Sequence, residues 1–277
     1  MKRIVSIQDI SCLGKCSLTV ALPIISAMGV ECAIIPTAVL STHTMFKNFT
    51  FHDLTPEIDP IVDHWEKENI AFDAVYTGYL GSFEQIEIVS AVFEKMKARG
   101  SLIVVDPAMA DNGKLYPAFD EAFALKMAEL CAKADYVLPN ITEAAFMTGS
   151  EYKECYDEEY VRALILALAA KGAKNVILTG VSFEEGKTGV MSYNGEKGEF
   201  SYYCHERLPV SYHGTGDIFS STFVGALMNG CERAEAVAVA ADYTAECIRV
   251  TLGNGKEKWY GVDFEQCMPY LIKRLGK

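Results

Sequence analysis

Gly214-Thr215-Gly216-Asp217 sets two glycines around a hydroxyl residue and puts a carboxylate at the start of an apolar-periodic segment that begins at Ile218. A helix opening here would offer free N–H groups and the positive end of its dipole to an anion. The glycines would let a bulky anion come close to the backbone. Asp217 would accept the proton of an attacking hydroxyl, a general-base contribution of roughly 10²–10⁴-fold. Phosphoryl transfer to an alcohol is one reaction that needs this arrangement. Taken alone, the tetrapeptide reads at least as well as an ordinary turn with Asp217 capping a helix.

Further groups could serve the same chemistry. Asn140-Ile141-Thr142-Glu143 follows one apolar segment and opens another. A Glu there can hold a metal-bound water, and Mg²⁺ usually keeps several waters. The same four residues also spell an N-cap with an acidic first turn. Asp106-Pro107 suits cation binding or electrostatic tuning, and equally a turn start. His43, between Ser41 and Thr44, could contact a planar polar substrate, or could be a structural hydrogen-bonder. His213 adjoins the glycine motif. His52, His64 and His205 show no zinc spacing. No GxxxxGK[ST] occurs, and no GxGxxG follows the first apolar run, where Gly14 stands alone.

These residues need elements to position them. Strands are expected at Arg3 to Gln8, Glu31 to Val39, Asp73 to Tyr79, Ser101 to Asp106, Asp135 to Leu138 and Asn175 to Thr179. Helices are expected at Ser17 to Met28, Phe83 to Arg99, Phe119 to Lys133 and Glu158 to Lys171. Ser17 is a candidate N-cap, and Pro23 a candidate kink or later start. The alternation predicts an α/β fold with a mostly parallel sheet and helices on both faces. Lys187 to Tyr193 and Glu199 to Cys204 flank Asn194-Gly195, a hairpin signal, so an antiparallel edge should follow the parallel core. Two or three helices close the chain: Asp217 to Met228, Arg233 to Leu252 and Asp263 to Leu275. Ligands of such sheets bind at the carboxyl ends of the strands. Gln8-Asp9, Ser41 to Thr44, Thr77 to Tyr79, Asp106, Asn140 with Glu143, and Thr179-Gly180 all fall at that end.

A chain of 277 residues, 50% hydrophobic and 22% charged, suffices for a single domain over 1–277. A net charge of −12 argues against a broad nucleic-acid footprint. No signal-like apolar segment follows Met1-Lys2-Arg3, and Ala163 to Ala170 is too short for a bilayer. Nine cysteines without a CxxC pair fit free thiols in a reducing cytoplasm. Cys12 and Cys16 lie near the first ligand loop and are candidate reactive thiols.

With these residues in view, the chain resembles the pyridoxal kinases of the ribokinase-like superfamily over nearly its whole length. Ser6-Ile7-Gln8 with Gly14 is similar to that family's opening strand and loop. Leu40-Ser41-Thr42-His43-Thr44 is similar to its Phe-Ser-Asn-His-Thr segment, and Thr77-Gly78-Tyr79-Leu80-Gly81-Ser82 to its Thr/Ser-Gly-Tyr-Leu-Gly-Ser stretch. Asp106-Pro107-Ala108-Met109, Pro139-Asn140 with Glu143-Ala144, and Gly214-Thr215-Gly216-Asp217 complete the match. The resemblance implies a three-layer ribokinase-like sandwich and ATP-dependent phosphorylation of the 5′-hydroxyl of pyridoxal, pyridoxine or pyridoxamine. Asp217 would be the base, and the Gly214, Thr215 and Gly216 amides the anion hole. Asp9, Ser41, His43, Thr44 and Tyr79 would line the substrate pocket. Asp106, Asn140, Glu143 and Thr179 would serve ATP, with Asp106 and Glu143 reaching Mg²⁺ through water. The resemblance further implies K⁺ alongside Mg²⁺ and a cytoplasmic homodimer that binds neither nucleic acid nor membrane.

The chain departs from that pattern at three places. Asp9 stands where the family usually has Ser, which tilts preference toward a cationic partner such as pyridoxamine or an aminopyrimidine. Leu40 replaces Phe, and Lys15-Cys16 differs from the usual loop. Hydroxymethylpyrimidine kinase is the main alternative, although many of its members carry Cys where Asp217 stands. A sugar kinase would usually have a longer β lid and an early two-Gly motif. A non-catalytic B6- or nucleotide-binding protein on the same fold is the alternative of another class. The segment 252–260 either borders an adenine pocket or is a surface loop.

Overall fold

The computed structural model describes residues 1–255 and 259–277, so 256–258 of the segment 252–260 lie outside the described residues. In chain order the elements are β1 (Arg3–Leu13), α1 (Leu18–Ala27), β2 (Glu31–Thr42), β3 (Phe51–Asp53), α2 (Thr55–Lys67), β4 (Ala74–Thr77), α3 (Phe83–Lys97) and β5 (Leu102–Val105). Then come β6 (Ala110–Asp111), β7 (Lys114–Leu115), α4 (Glu121–Cys131), β8 (Tyr136–Val137), α5 (Ile141–Thr148), α6 (Glu158–Ala170) and β9 (Asn175–Val181). The last are β10 (Lys187–Asn194), β11 (Glu199–Glu206), α7 (Thr215–Met228), α8 (Arg233–Gly253) and α9 (Phe264–Arg274). Nine strands form a mixed sheet, and β6 and β7 form a separate ribbon. The chain divides into two compact units, Met1–Tyr76 with Leu208–Lys277, and Thr77–Arg207.

In the first unit the strand order is β4-β1-β2-β3. β1 and β2 pair in parallel, Arg3 opposite Glu31 through Gln8 opposite Pro36. Ile4, Val5 and Ile7 are fully buried, as central parallel strands require. The register slips between Gln8 and Ile10, where β2 runs one residue more than β1, a bulge in β2 opposite Asp9. β1 then continues to Leu13, so Asp9 lies within the strand, not beyond the end expected at Gln8. β3 adds a short, exposed antiparallel edge that the sequence reading did not anticipate. It also missed α2, whose Pro56 and Pro60 look like breakers. Pro56 falls in the first turn, where its missing N–H is harmless. α1 packs on α7, α7 on α8 and α8 on α9. Every residue of α7 from Ile218 to Ala226 is buried.

In the second unit the order is β11-β10-β9-β8-β5. β5, β8 and β9 are parallel; Val105 faces Val137, and Val137 faces Val176. β9, β10 and β11 are antiparallel, the edge expected from the sequence. Its turn differs from expectation. Asn194 Oδ1 accepts from the Glu196 and Lys197 amides, and residues 195–198 make a four-residue loop. The two-residue Asn-Gly hairpin is instead Asn112-Gly113 between β6 and β7, with φ of 50° and 74° at the two central residues. Ser82, Asp120 and Asp157 cap α3, α4 and α6 through side-chain oxygens. No helix among the described residues is long and apolar enough to cross a membrane.

Candidate active site

The first unit holds the turn that opens α7. Gly214 is its N-cap residue, at φ 81° and ψ 2°. A Cβ there would sit inside the contact radius of the Lys15 carbonyl oxygen and 3.0 Å from its carbon. The turn can therefore exist only with glycine at 214, packed directly on the loop after β1. The first amides of a helix, here those of Thr215 and Gly216, have no intrahelical acceptor. Gly216 is exposed, with no atom within 4 Å of a notional Cβ, so an anion has room beside it. Thr215 Oγ1 donates to the Tyr212 carbonyl at 3.2 Å and fixes the entry of the chain. Asp217, half-buried, follows in the first helical turn.

Asp9, Cys16 and Asp217 are close enough to influence one another. Burial, then the charges of Asp217 and Asp9, push the Cys16 thiol up, so it is not a poised thiolate. Asp9 is 4% exposed, and its Oδ2 accepts from Ser11 Oγ at 3.0 Å. Burial raises its carboxyl, opposed by hydrogen bonds from Ser17 and Ser11. Ser17 occupies the N-cap position of α1 without capping it. Its φ of 50° puts the hydroxyl out of reach of the α1 amides, and that hydroxyl serves Asp9 instead.

His43, 2% exposed, sits in a ring cluster. Its centroid is 4.3 Å from His213, 4.8 Å from Phe46 and 5.8 Å from Trp259. Its Nδ1 accepts from the Met45 amide at 3.3 Å, and burial lowers its pKa against the pull of the Tyr260 backbone. Gly14 makes room for it; a Cβ there would lie 3.2 Å from His43 Cγ. Burial first, then His43, hold His213 down to about 4, so it is neutral at physiological pH. Ser41 and Thr44 are not part of this cluster. Both are exposed, and Ser41 exchanges hydrogen bonds with the Thr50 backbone to shape the β2–β3 connection. Phe46 carries no motif signal, and Trp259 falls in the segment 252–260, expected to border an adenine pocket or to be a surface loop; its ring instead lies against Phe46 and His43.

The second unit gathers the other predicted residues. Asp106 follows β5, 7% exposed, its amide bonded to the Thr77 carbonyl. Asn140 and Glu143 form a complete capping box on α5. Glu143 Oε2 accepts from the Asn140 amide at 2.8 Å, and Oε1 from the Met109 amide at 3.1 Å. Asn140 Nδ2 donates to the Ala110 carbonyl, so the box also anchors the chain leading into β6. Thr179 bridges Asn140 in parallel register and bonds to the Pro139 carbonyl. Burial, then the charge of Asp106, raise Glu143 to about 8. A carboxyl raised that far keeps its proton at neutral pH; a bound cation would displace it, making Asp106 and Glu143 an oxygen set suited to a hard cation. With Glu143 already taking backbone amides on both oxygens, contact through a metal-bound water fits better than direct ligation. No cluster of three or more His, Cys, Asp or Glu able to hold a metal exists among the described residues. Tyr79 packs at a tilt 5.4 Å from Phe119, which stacks 4.0 Å from Phe123.

A family model described as phosphomethylpyrimidine kinase matches residues 22–260. A candidate phosphomethylpyrimidine kinase from Bacteroides thetaiotaomicron, in a crystal form with pyridoxal, is 39% identical with a TM-score of 0.92, over 98% of this chain and 95% of that one. The pyridoxal kinase of Lactobacillus plantarum is 30% identical with a TM-score of 0.89, over 99% of this chain and 97% of its own. A pyridoxal kinase of Dictyostelium discoideum is 26% identical over 93% of this chain and 91% of its own. These likenesses establish the ribokinase-like fold expected from the sequence.

Proposed function

The chain belongs to the pyridoxal and phosphomethylpyrimidine kinase family, and on that premise we propose that it transfers the γ-phosphoryl group of ATP to the 5′-hydroxyl of a B6 vitamer: pyridoxal, pyridoxine or pyridoxamine. One observation carries the choice of substrate. A relative 39% identical over nearly the whole chain has been crystallised with pyridoxal. Working as a single kinase domain over 1–277, the protein uses Asp217 as base. Its carboxylate takes the hydroxyl proton as the O5′–P bond forms and the bond from the γ-phosphorus to the bridging oxygen breaks, releasing ADP. The Gly214, Thr215 and Gly216 backbone stabilises the charge on the phosphoryl group in flight. Asp9, His43 and Tyr79 recognise the ring, with Ser41 and Thr44 at the margin of the His43 segment.

Asp106, Asn140, Glu143 and Thr179 serve the nucleotide. Asp106 and Glu143 would hold Mg²⁺ through water, and the ion would supply charge neutralisation at the phosphates. The resemblance to pyridoxal kinases adds K⁺, a homodimer and a cytoplasmic location to the reading. A second reading, hydroxymethylpyrimidine as substrate, is favoured by the description of the family model itself. An ADP-release assay with pyridoxal, pyridoxine, pyridoxamine and hydroxymethylpyrimidine decides. Highest kcat/KM with a vitamer supports the proposal. Highest kcat/KM with hydroxymethylpyrimidine replaces it by the second reading. No turnover with any of the four leaves a non-catalytic binding protein.

A further inference from the structure

Lys15 lies in the loop between β1 and α1, and both ends of the residue are engaged. Its Nζ is 3.0 Å from Asp263 Oδ1 and 2.7 Å from Glu265 Oε2, and stands 5.6 Å from the centre of the Phe264 ring. Asp263 is 2% exposed; its Oδ2 accepts from Asn254 Nδ2 at 2.8 Å, and its amide donates to Thr251 Oγ1 at 2.7 Å. The Lys15 amide donates to the Tyr260 carbonyl at 3.3 Å. A Cβ on Gly261 would lie 3.1 Å from Lys15 Cγ, so the stem packs flat on that residue. On the other side, the Lys15 carbonyl lies against Gly214. One residue thus joins the start of α9, the Trp259–Gly261 segment and the turn that opens α7.

A largely buried ammonium–carboxylate pair returns little net stability, because desolvation offsets most of the Coulomb attraction; fixing register is its best-attested use. The segment that Lys15 engages at Tyr260 and Gly261 carries Trp259. That ring lies 4.4 Å from Phe46 and 5.8 Å from His43, yet is 51% exposed, so its own burial does little to hold it.

We propose that Lys15 is a positioning residue for the vitamer: by clamping Asp263 and Glu265 it holds Trp259 against Phe46 and His43, and so forms one wall of the ring-binding site. This rests on the kinase reading above and assigns Lys15 to the vitamer, not to ATP.

The test uses Lys15→Met, which keeps the stem and removes the ammonium, and Lys15→Arg, which restores the charge. Both are made in a Trp65→Phe background, leaving Trp259 as the one tryptophan; Trp65 packs on Phe72. The expected result for Lys15→Met is a red-shifted Trp259 emission and a KM for pyridoxal raised on the order of tenfold to a hundredfold, the scale of an ångström-level misplacement. The KM for ATP should stay within about twofold, and Lys15→Arg should recover most of both signals. An unchanged emission with an unchanged pyridoxal KM overturns the proposal, as does an equal rise in both KM values without an emission shift. Should Lys15→Met fail to fold, Glu265→Gln at the exposed partner should give a smaller shift in the same direction, and no shift overturns the proposal. If the parent turns over no vitamer, the kinase reading fails, while the emission comparison still decides whether Lys15 holds Trp259.

Discussion

Replacing Gly214 by alanine should damage both fold and activity, and the structure gives the scale. The residue sits at φ 81°, where a Cβ costs about 1–2 kcal/mol. The new methyl would also lie 3.0 Å from the Lys15 carbonyl carbon and closer still to its oxygen. Ordinary contacts are about 3.5–4.0 Å, so the loop must retreat by roughly 1–2 Å. Overpacking of that kind costs about 1–3 kcal/mol. The sum, about 2–5 kcal/mol, corresponds to a Tm drop of roughly 4–20 °C at about 2–4 °C per kcal/mol. The same displacement moves the amides meant for the phosphoryl group, and a misplacement of that size costs about 10²-fold in rate. Gly216→Ala supplies the contrast. Its Cβ meets nothing within 4 Å and its backbone is helical, so Tm should hold or rise slightly, by about 0.5–1 kcal/mol of helix stability. Its kcat should still fall, because the methyl occupies the space left for the anion. Scanning fluorimetry and the ADP-release assay read both variants. Parent-like Tm and kcat in Gly214→Ala, or a parent-like kcat in Gly216→Ala, would refute the reasoning.

Asp217→Asn should lower kcat by roughly 10²–10⁴-fold while leaving nucleotide affinity, measured by a fluorescent ADP analogue, unchanged. Asp9→Ser should shift the ratio of kcat/KM between pyridoxamine and pyridoxal toward pyridoxal, since an ionised Asp9 favours a cationic partner; an unchanged ratio removes Asp9 from vitamer choice. His213 gives a pH signature. Its folded pKa of about 4 lies below the unfolded value of about 6.5, so the unfolded chain binds more protons between them. The stability tied to neutral His213 is present above about pH 6.5 and is lost as pH falls toward 4, on the order of 1–3 kcal/mol. His213→Gln should therefore flatten the fall in Tm between pH 7 and 5.

The alternation of apolar segments and the family motifs made most of the fold and the kinase assignment legible. Where the sequence reading failed, identifiable physics intervened. Pro56 looked like a helix breaker but falls where a helix has no bond to lose. Asn194-Gly195 looked like the tight turn, yet the Gly195 amide is drawn to the Lys174 carbonyl and the loop lengthens. The genuine tight turn, Asn112-Gly113, joins strands of two residues each, too short for any alternation to register. Among the residues proposed for the site, Asp9, His43 and the 214–217 turn could be picked out as local motifs, as could Asp106, Asn140, Glu143 and Thr179. Contacts between residues distant in sequence could not: Lys15 to Asp263 spans 248 positions, and the Trp259 ring meets His43 from the far end of the chain.

The burial of α7 on every face from Ile218 to Ala226 bears on how this protein can change over evolutionary time. The helix that carries the proposed base Asp217 is buried along most of its length, so a substitution that shifts it also strains the core and is selected against through folding. The ring-contacting residues have a different tenure. Phe46 and Trp259, proposed to face the vitamer beside His43, sit on connections between elements and are less buried than His43, so their exchange costs less stability. A lineage can therefore trade one small aromatic alcohol for another by drift in those connections while the phosphoryl-transfer step is inherited intact.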